Sequence, residues 1–256
     1  MAVIVKTEIN TPMEYHETKP CNALEPFIHS FWEMKGGKHD GQWERIFPDG
    51  CAGLVFNLGD ACVTDNGSFT MEFGKTYVVG AMTSFKDSYV NDNLHLWGVC
   101  LKPAAFSNFY RYAPQNELID KTVELDIAHS FAIDKFLKSP ANYLNQFYID
   151  KSKQRHNPLQ PILEEINKAK GQLSIYELAK RNDTSIRQLE RNFRTQIGIS
   201  PKEYSNIVRF QNALTVIKNA EHKRSLLDIA FECGFYDHSH LANEIKRNTG
   251  LAPTQL

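Results

Sequence analysis

From Phe27 to about Leu101 the apolar and β-branched residues fall in short runs. Turn formers interrupt them every few positions: Gly36-Gly37, Pro48-Asp49-Gly50, Gly59-Asp60, Asn66-Gly67, Gly74, Gly80 and Gly98. Runs bounded in this way read as strands. The pattern predicts strands over residues 28–34, 53–58, 70–73, 77–79, 85–90 and 96–101, too closely spaced for a helical domain, and a compact antiparallel barrel or sandwich as their packing. After Pro103 the spacing becomes helical. Residues 104–112 start behind that proline, residues 126–138 bring Ile127, Phe131 and Phe136 near one face, and residues 141–149 group Tyr143, Leu144, Phe147 and Tyr148. An apolar stripe says only that something covers it, so these helices either cap the β-rich part or form a seam between two copies.

The stretch DKSKQRHNP that follows has no apolar residue and ends in proline, as an interdomain linker does. The expected organisation is a β-rich sensing or dimerisation domain with trailing helices over 1–150, a linker over 151–158 and an all-helical domain over 159–256. The fold class is therefore α+β.

Beyond the linker one pattern occurs twice, and self-similarity over a whole supersecondary unit seldom arises by chance. SIYELAKRNDTSIRQLERNFRTQIGISP begins at Ser174, and SLLDIAFECGFYDHSHLANEIKRNTGLAP begins at Ser225. Ser174, Leu178 and Ala179 match Ser225, Ile229 and Ala230 at an offset of 51. Leu189, Phe193, Gly198 and Pro201 match Leu241, Ile245, Gly250 and Pro253 at an offset of 52, so the second copy has gained one residue in its turn.

Each copy reads as two short helices around a tight turn. Ser174 with Glu177, and Ser225 with Asp228, have capping spacing, and Ser185 and Asp237 can cap the second helices. Ala179 and Ala230 are small where the helices cross. Leu189 with Phe193, and Leu241 with Ile245, share one face at i and i+4. The opposite faces display Arg187, Gln188, Glu190, Arg191 and Arg194 in the first copy, and His238, Ser239, His240, Asn243, Lys246 and Arg247 in the second. Gly198 and Gly250 suit helix stops. Between the copies, residues 201–219 read as one spacer helix with Tyr204, Val208, Ala213, Leu214 and Ile217 buried.

This arrangement resembles the AraC/XylS family of transcription regulators from about Leu159 onward. The most specific pieces are Asp228-Ile229-Ala230, Cys233-Gly234-Phe235, Asp237, Ser239, Leu241 and Lys246-Arg247 ahead of Gly250 and Pro253. Pro201, Tyr204, Arg209, Ala213 and Leu214 fit the family's linker helix. The chain departs from the pattern at Leu241 and Ile245, where aromatic residues are usual, and at Asn243, where arginine is frequent. The resemblance implies two readers placed in successive major grooves of double-stranded DNA, about 34 Å apart.

Helices in the major groove read base edges, and surrounding basic and polar groups hold phosphates. Arg187, Gln188, Glu190, Arg191, His238, Ser239, His240 and Asn243 are the expected base readers. Arg187 and Arg191 suit guanine, Asn243 suits adenine, and Glu190 either accepts from cytosine or orients an arginine. Ser185, Arg194, Lys202, Lys246 and Arg247 are the expected phosphate contacts. Promoter DNA and a small-molecule effector are the expected partners, with RNA polymerase and a second copy of the chain as further ones.

Charge changes this picture only slightly. The chain carries a net −1, but residues 1–155 hold 15 Lys+Arg against 19 Asp+Glu, while residues 156–256 hold 14 against 11. The mildly basic half is the one with the duplicated units. Composition is that of an ordinary globular protein, no apolar run is long enough to cross a bilayer, and MAVIVKTEIN lacks a leader pattern, so a cytoplasmic location is expected.

The N-terminal part is similar to the small cupin-like β domains of some family members, through Phe31-Trp32, Arg45, Pro48-Asp49-Gly50-Cys51, Phe56-Asn57-Leu58, Val79-Gly80 and Gly98-Val99-Cys100. Trp32, Trp43, Phe56 and Trp97, with Phe47 and Tyr77, either line an effector cavity anchored by Arg45, Asp49 and Asn57 or form plain β core. The domain senses an effector, or only dimerises; catalysis is the remaining alternative.

No nucleophile elbow, phosphate loop or metal-spaced motif supports an enzyme, and no cofactor is implied. His238 and His240, two apart on a helix, diverge and do not chelate. Cys21, Cys51, Cys62, Cys100 and Cys233 are scattered, odd in number and without Cys-x-x-Cys spacing, which suits free thiols and gives no metal site.

Overall fold

The computed structural model describes residues 4–5, 13–37, 41–110, 114–126, 131–152, 157–219 and 224–256. The N-terminal strands are β1 (Ile4–Val5), β2 (Glu14–Thr18), β3 (Ile28–Lys35), β4 (Gln42–Ile46), β5 (Gly53–Asn57), β6 (Cys62–Thr64), β7 (Phe69–Met71), β8 (Thr76–Val79), β9 (Lys86–Val90), β10 (His95–Leu101) and β11 (Thr122–Glu124). They form a six-stranded sheet in the order β11-β8-β5-β10-β3-β2, a three-stranded sheet β1-β4-β9 and the β6-β7 pair. Every pairing is antiparallel.

Side chains alternate across a strand, and that rule distributes the core. One face of the large sheet carries Ile28, Phe31, Leu54, Phe56, Val78, Val99 and Leu101 into a cluster with Phe106, Phe109, Phe136, Leu144 and Tyr148. These last come from α1 (Phe106–Phe109), α2 (Ile133–Phe136) and α3 (Pro140–Lys151). The trailing helices thus cap the sheet. The other face, with Met34, Val55 and Leu96, joins Cys62, Met71 and Val90 in a second cluster.

Strands β2 and β4 are not predicted by apolar runs, because EYHET and QWERI are largely polar, and β2 is almost wholly exposed at the sheet edge. Strands β6 and β11 are three residues each, too short for a readable period. Over residues 104–110 the expected helix is limited to α1, since Ala104 has φ +63° and Tyr110 is already extended; residues 111–112 lie outside the described residues. Of the one expected over 126–138, residues 131–138 hold α2, and residues 127–130, Ile127 among them, lie outside the described residues.

The C-terminal helices are α4 (Gln160–Lys168), α5 (Ile175–Arg181), α6 (Ile186–Gln196), α7 (Pro201–Asn219), α8 (Leu226–Glu232) and α9 (His238–Thr249). They enclose two cores. The first gathers Leu163, Ile166, Leu178, Ala179, Leu189, Phe193, Tyr204 and Ile207; the second gathers Phe210, Ala213, Leu214, Ile229, Ala230, Phe235, Leu241 and Ile245. Helix α7 belongs to both, its first half to one core and its second to the other. This double duty buries Ser205, Ile207 and Phe210, which a single-stripe reading omits, and leaves Val208 and Ile217 half-buried.

The β-rich part closes onto these helices through the segment between β4 and β5. Phe47 enters the second helical core edge-on to Phe210, with ring centroids 6.3 Å apart. The Gln211 amide donates to the Pro48 carbonyl, and Gly50 lies against the Tyr204 ring.

Candidate nucleic-acid interface

Local chemistry starts each helix of the repeated units. Ser174 accepts from the Glu177 amide, and Glu177 returns the bond to the Ser174 backbone, which completes a capping box. Ser185, Ser225 and Asp237 accept from the amides of Gln188, Asp228 and His240. Each bond satisfies an amide that has no intrahelical partner.

The turns also correspond. Asp183 and Gly234 both adopt left-handed backbone, with φ +47° and +74°. The next amides, Thr184 and Phe235, donate to the Ala179 and Ala230 carbonyls. Capping resumes at Ser185 and Asp237, so the residue gained by the second copy is Tyr236, and its side chain is 84% exposed. Sequence reasoning detects the insertion without recognising that it sets an aromatic ring at the leading end of α9.

On α6, Leu189 and Phe193 are buried, whereas Arg187, Glu190, Arg191 and Arg194 are exposed. Gln188 is half-buried and organises this surface. Its Nε2 donates to Asn192 Oδ1 at 2.7 Å, and its Oε1 accepts from Arg191 Nη2 at 2.6 Å. On α9, Leu241 and Ile245 are buried, and His238, Ser239, His240, Asn243, Lys246 and Arg247 are exposed. The His240 ring stands edge-on to Phe235 at 5.3 Å. Arg247 donates to buried Glu244 at 2.6 Å, and Asn248 bonds the same carboxylate. Ser185 and Lys202 are exposed at the starts of α6 and α7. The residues expected to touch DNA therefore form two outward polar ridges, one per core, joined by α7.

Both units stop at left-handed glycines, Gly198 (φ +99°) and Gly250 (φ +71°), and both stops abut the β-rich part. A Cβ on Gly198 would meet the Gln115 carbonyl, and one on Gly250 would meet Arg45 Nη1 and the Phe85 ring. Arg45 pairs with Asp87 at 2.7 and 2.8 Å, donates to the Thr249 carbonyl at 3.0 Å and lies over Phe85.

Between the sheets lies a cavity of about 120 Å³. Of the residues proposed from sequence as its lining, Trp32 and Asp49 border it. The others are placed elsewhere by alternation. Phe56 and Trp97 point to the helix-covered face, where both pack on Phe136. Trp43 points outward and is 50% exposed against Tyr89. Arg45 is engaged with Asp87 and Thr249, and Asn57 is fully buried, donating to the Asp60 and Met71 carbonyls. Phe47 packs with the helices, and the hydroxyl of Tyr77 accepts from the Glu72 amide.

The polar part of the cavity wall is one that sequence reasoning missed. Lys86 Nζ pairs with Asp65 at 2.7 Å, Thr122 donates to the same carboxylate, and the Thr64 and Ser88 hydroxyls bond at 2.7 Å. No local spacing joins these residues; β6, β9 and β11 do. All five cysteines are free, and burial pushes the Cys62 thiol up to about 12.

Two family models match the chain: a domain of unknown function (DUF6597) over residues 16–124 and a helix-turn-helix domain over residues 178–256. Among curated proteins, the HTH-type transcriptional activator RhaS of Klebsiella pneumoniae (strain 342) is 32% identical over 80 residues, which cover 31% of this chain and 28% of that protein. RhaS of Escherichia coli (strain SE11) is 30% identical over 79 residues, with the same coverage. The chain thus matches little more than a quarter of the length of these relatives. Among solved structures, ToxT from Vibrio cholerae is similar with TM-score 0.50 and 11% identity over 94% of this chain and 97% of that one. ToxT of strain O395 bound to (E)-4-(8-methylnaphthalen-1-yl)but-3-enoic acid has TM-score 0.50 and 13% identity over 88% and 96%. At such identities the likeness concerns the fold.

Proposed function

We propose that the chain, whose residues 178–256 match a helix-turn-helix domain, is a DNA-binding transcription regulator of the AraC/XylS type, in which α6 and α9 read two consecutive major grooves while the β-rich domain senses a small effector. The observation that carries the first half is the pair of polar ridges on separate cores tied by one continuous helix. The 19 residues of α7 extend about 28 Å at 1.5 Å per residue, comparable with the ~34 Å between successive grooves. Arg187, Gln188, Glu190, Arg191, His238, Ser239, His240 and Asn243 face base edges in this reading. Ser185, Arg194, Lys202, Lys246 and Arg247 face phosphates, Arg247 while exchanging its Glu244 bond.

Gln188 gives Arg191 a preset direction, so Arg191 is the guanine reader on which discrimination depends. Arg191→Ala should cost about 1–3 kcal/mol at the preferred site and relax one base position, with thermal stability unchanged. Selection of bound fragments from a genomic library with the full chain, followed by titration at several salt concentrations, tests the whole reading. A regulator selects a distinct sequence, and its affinity falls steeply with salt. Recovery of random fragments would overturn it.

The effector reading is supported by the cavity, whose apolar wall of Trp32, Met34, Val55 and Leu96 meets the Lys86–Asp65 pair. The space is small and partly open, so the effector in this reading is a compact molecule whose polar end competes for that pair. The ligand-bound state of ToxT has a similar fold, which agrees with such a role for the β-rich domain. A metabolite panel read by thermal shift, on the wild type and on Lys86→Met, checks it: a true effector stabilises only the former.

A further inference from the structure

We infer that Asp49, Cys51 and Cys100 form a binding site for a thiophilic divalent metal of the Zn²⁺ class at the junction between the two domains. In the sequence these residues have no metal-ligand spacing, and their meeting is a product of the sheet. Cys100 of β10 pairs with Gly53 of β5, and Cys51 lies two residues before Gly53, on the same face by alternation. The turn after β4 then folds Asp49 back, with its carboxylate accepting from the Cys51 amide at 2.9 Å.

The Asp49 carboxylate and the two sulfurs all lie within 4.8 Å of one another. Around a tetrahedral zinc ion, with Zn–S near 2.3 Å and Zn–O near 2.1 Å, such donors stand roughly 3.6–3.8 Å apart. Two thiolates with one carboxylate match Zn²⁺ and its soft neighbours rather than Mg²⁺ or Ca²⁺, which take oxygen shells. Asp49 and Cys51 also border a second, interdomain cleft of about 580 Å³, which gives the ion a route of entry. The cleft leaves the remaining position of the shell open to water.

The position gives the site a consequence. Asp49 and Cys51 belong to the segment whose Phe47, Pro48 and Gly50 contact Phe210, Gln211 and Tyr204 of α7. A metal ion there ties that segment to β10 and so holds the surface on which the spacer helix rests.

The test is titration of the reduced full chain with Co²⁺ as a spectroscopic stand-in for Zn²⁺, with native mass spectrometry for stoichiometry. One ion should bind per chain with a sulfur-to-cobalt charge-transfer band, and Zn²⁺ should displace it. Cys51→Ser and Cys100→Ser should each abolish the band, while Cys21→Ser leaves it intact. Asp49→Asn keeps both sulfurs and should fold normally. Loss of an outer-shell partner alone weakens metal sites roughly 10- to 100-fold, so this loss of a ligand should cost at least as much. A spectrum without sulfur character, a band that survives both cysteine substitutions, or Asp49→Asn binding as tightly as the wild type would each overturn the proposal. The readout is the metal's own spectrum, so failure here leaves the DNA-binding reading untouched.

Discussion

Lys151 shows how one side chain can carry a pH signature. At the end of α3 its ammonium lies over the rings of Tyr110 (4.2 Å) and Phe147 (4.7 Å), and burial lowers its pKa from the usual 10.5 to about 8. The fold therefore disfavours the charged form. Below pH 8 that penalty is present in full. Between about 8 and 10.5 the unfolded chain binds more protons than the folded one, so stability rises with pH until the penalty is gone. Lys151→Met should melt higher than the wild type at pH 7, and the advantage should shrink across that window in thermal melts at stepped pH. A constant difference would mean that the gain is packing alone.

At the scale of elements, the two helix stops do more than end helices. A left-handed position costs a non-glycine residue roughly 1–2 kcal/mol, and a Cβ on Gly250 also stands 2.7 Å from Arg45 Nη1. Gly250→Ala should therefore lower stability by more than backbone strain explains. Adding Arg45→Ala should return the excess and leave the strain, so chemical denaturation of the two single variants and the double one should show coupling. Additive effects would mean that α9 ends without leaning on β4. The same scale explains what a linear reading of strands could find. Strand β3, with IHSFWEMK, has apolar side chains to pack on both faces and is legible, whereas β2 is held at the free edge of β3 and β4 between β1 and β9, by pairing that no local pattern announces.

Between the two domains, Phe47 is the side chain that links one core to the other, and a single melting transition is the expected result. Phe47 leaves the β-rich part and is buried among Phe210, Leu214 and Ile245. Removing such a ring costs about 3–5 kcal/mol, and here the loss falls on the contact between domains. Phe47→Ala should split a single calorimetric transition into two, with the helical domain melting first. One transition displaced to lower temperature would show that other contacts, such as Gln211 with Pro48, suffice to hold the domains together.

Local chemistry along the chain is enough to specify the helical half. Caps, buried pairs and glycine stops act within four residues or so, and a helix repeats its faces at short range, so Ser174, Leu189, Phe193 and Gly198 and their counterparts declare themselves without knowledge of distant partners. The β-rich half is set by long-range packing. Which face of a strand meets a cavity depends on what packs on its other side, and that is why Phe56 and Trp97 turn to α2 while Lys86, Asp65, Cys51 and Cys100, unrelated along the chain, come to share walls and corners. Long-range pairing assembles such sites, and no local period records it.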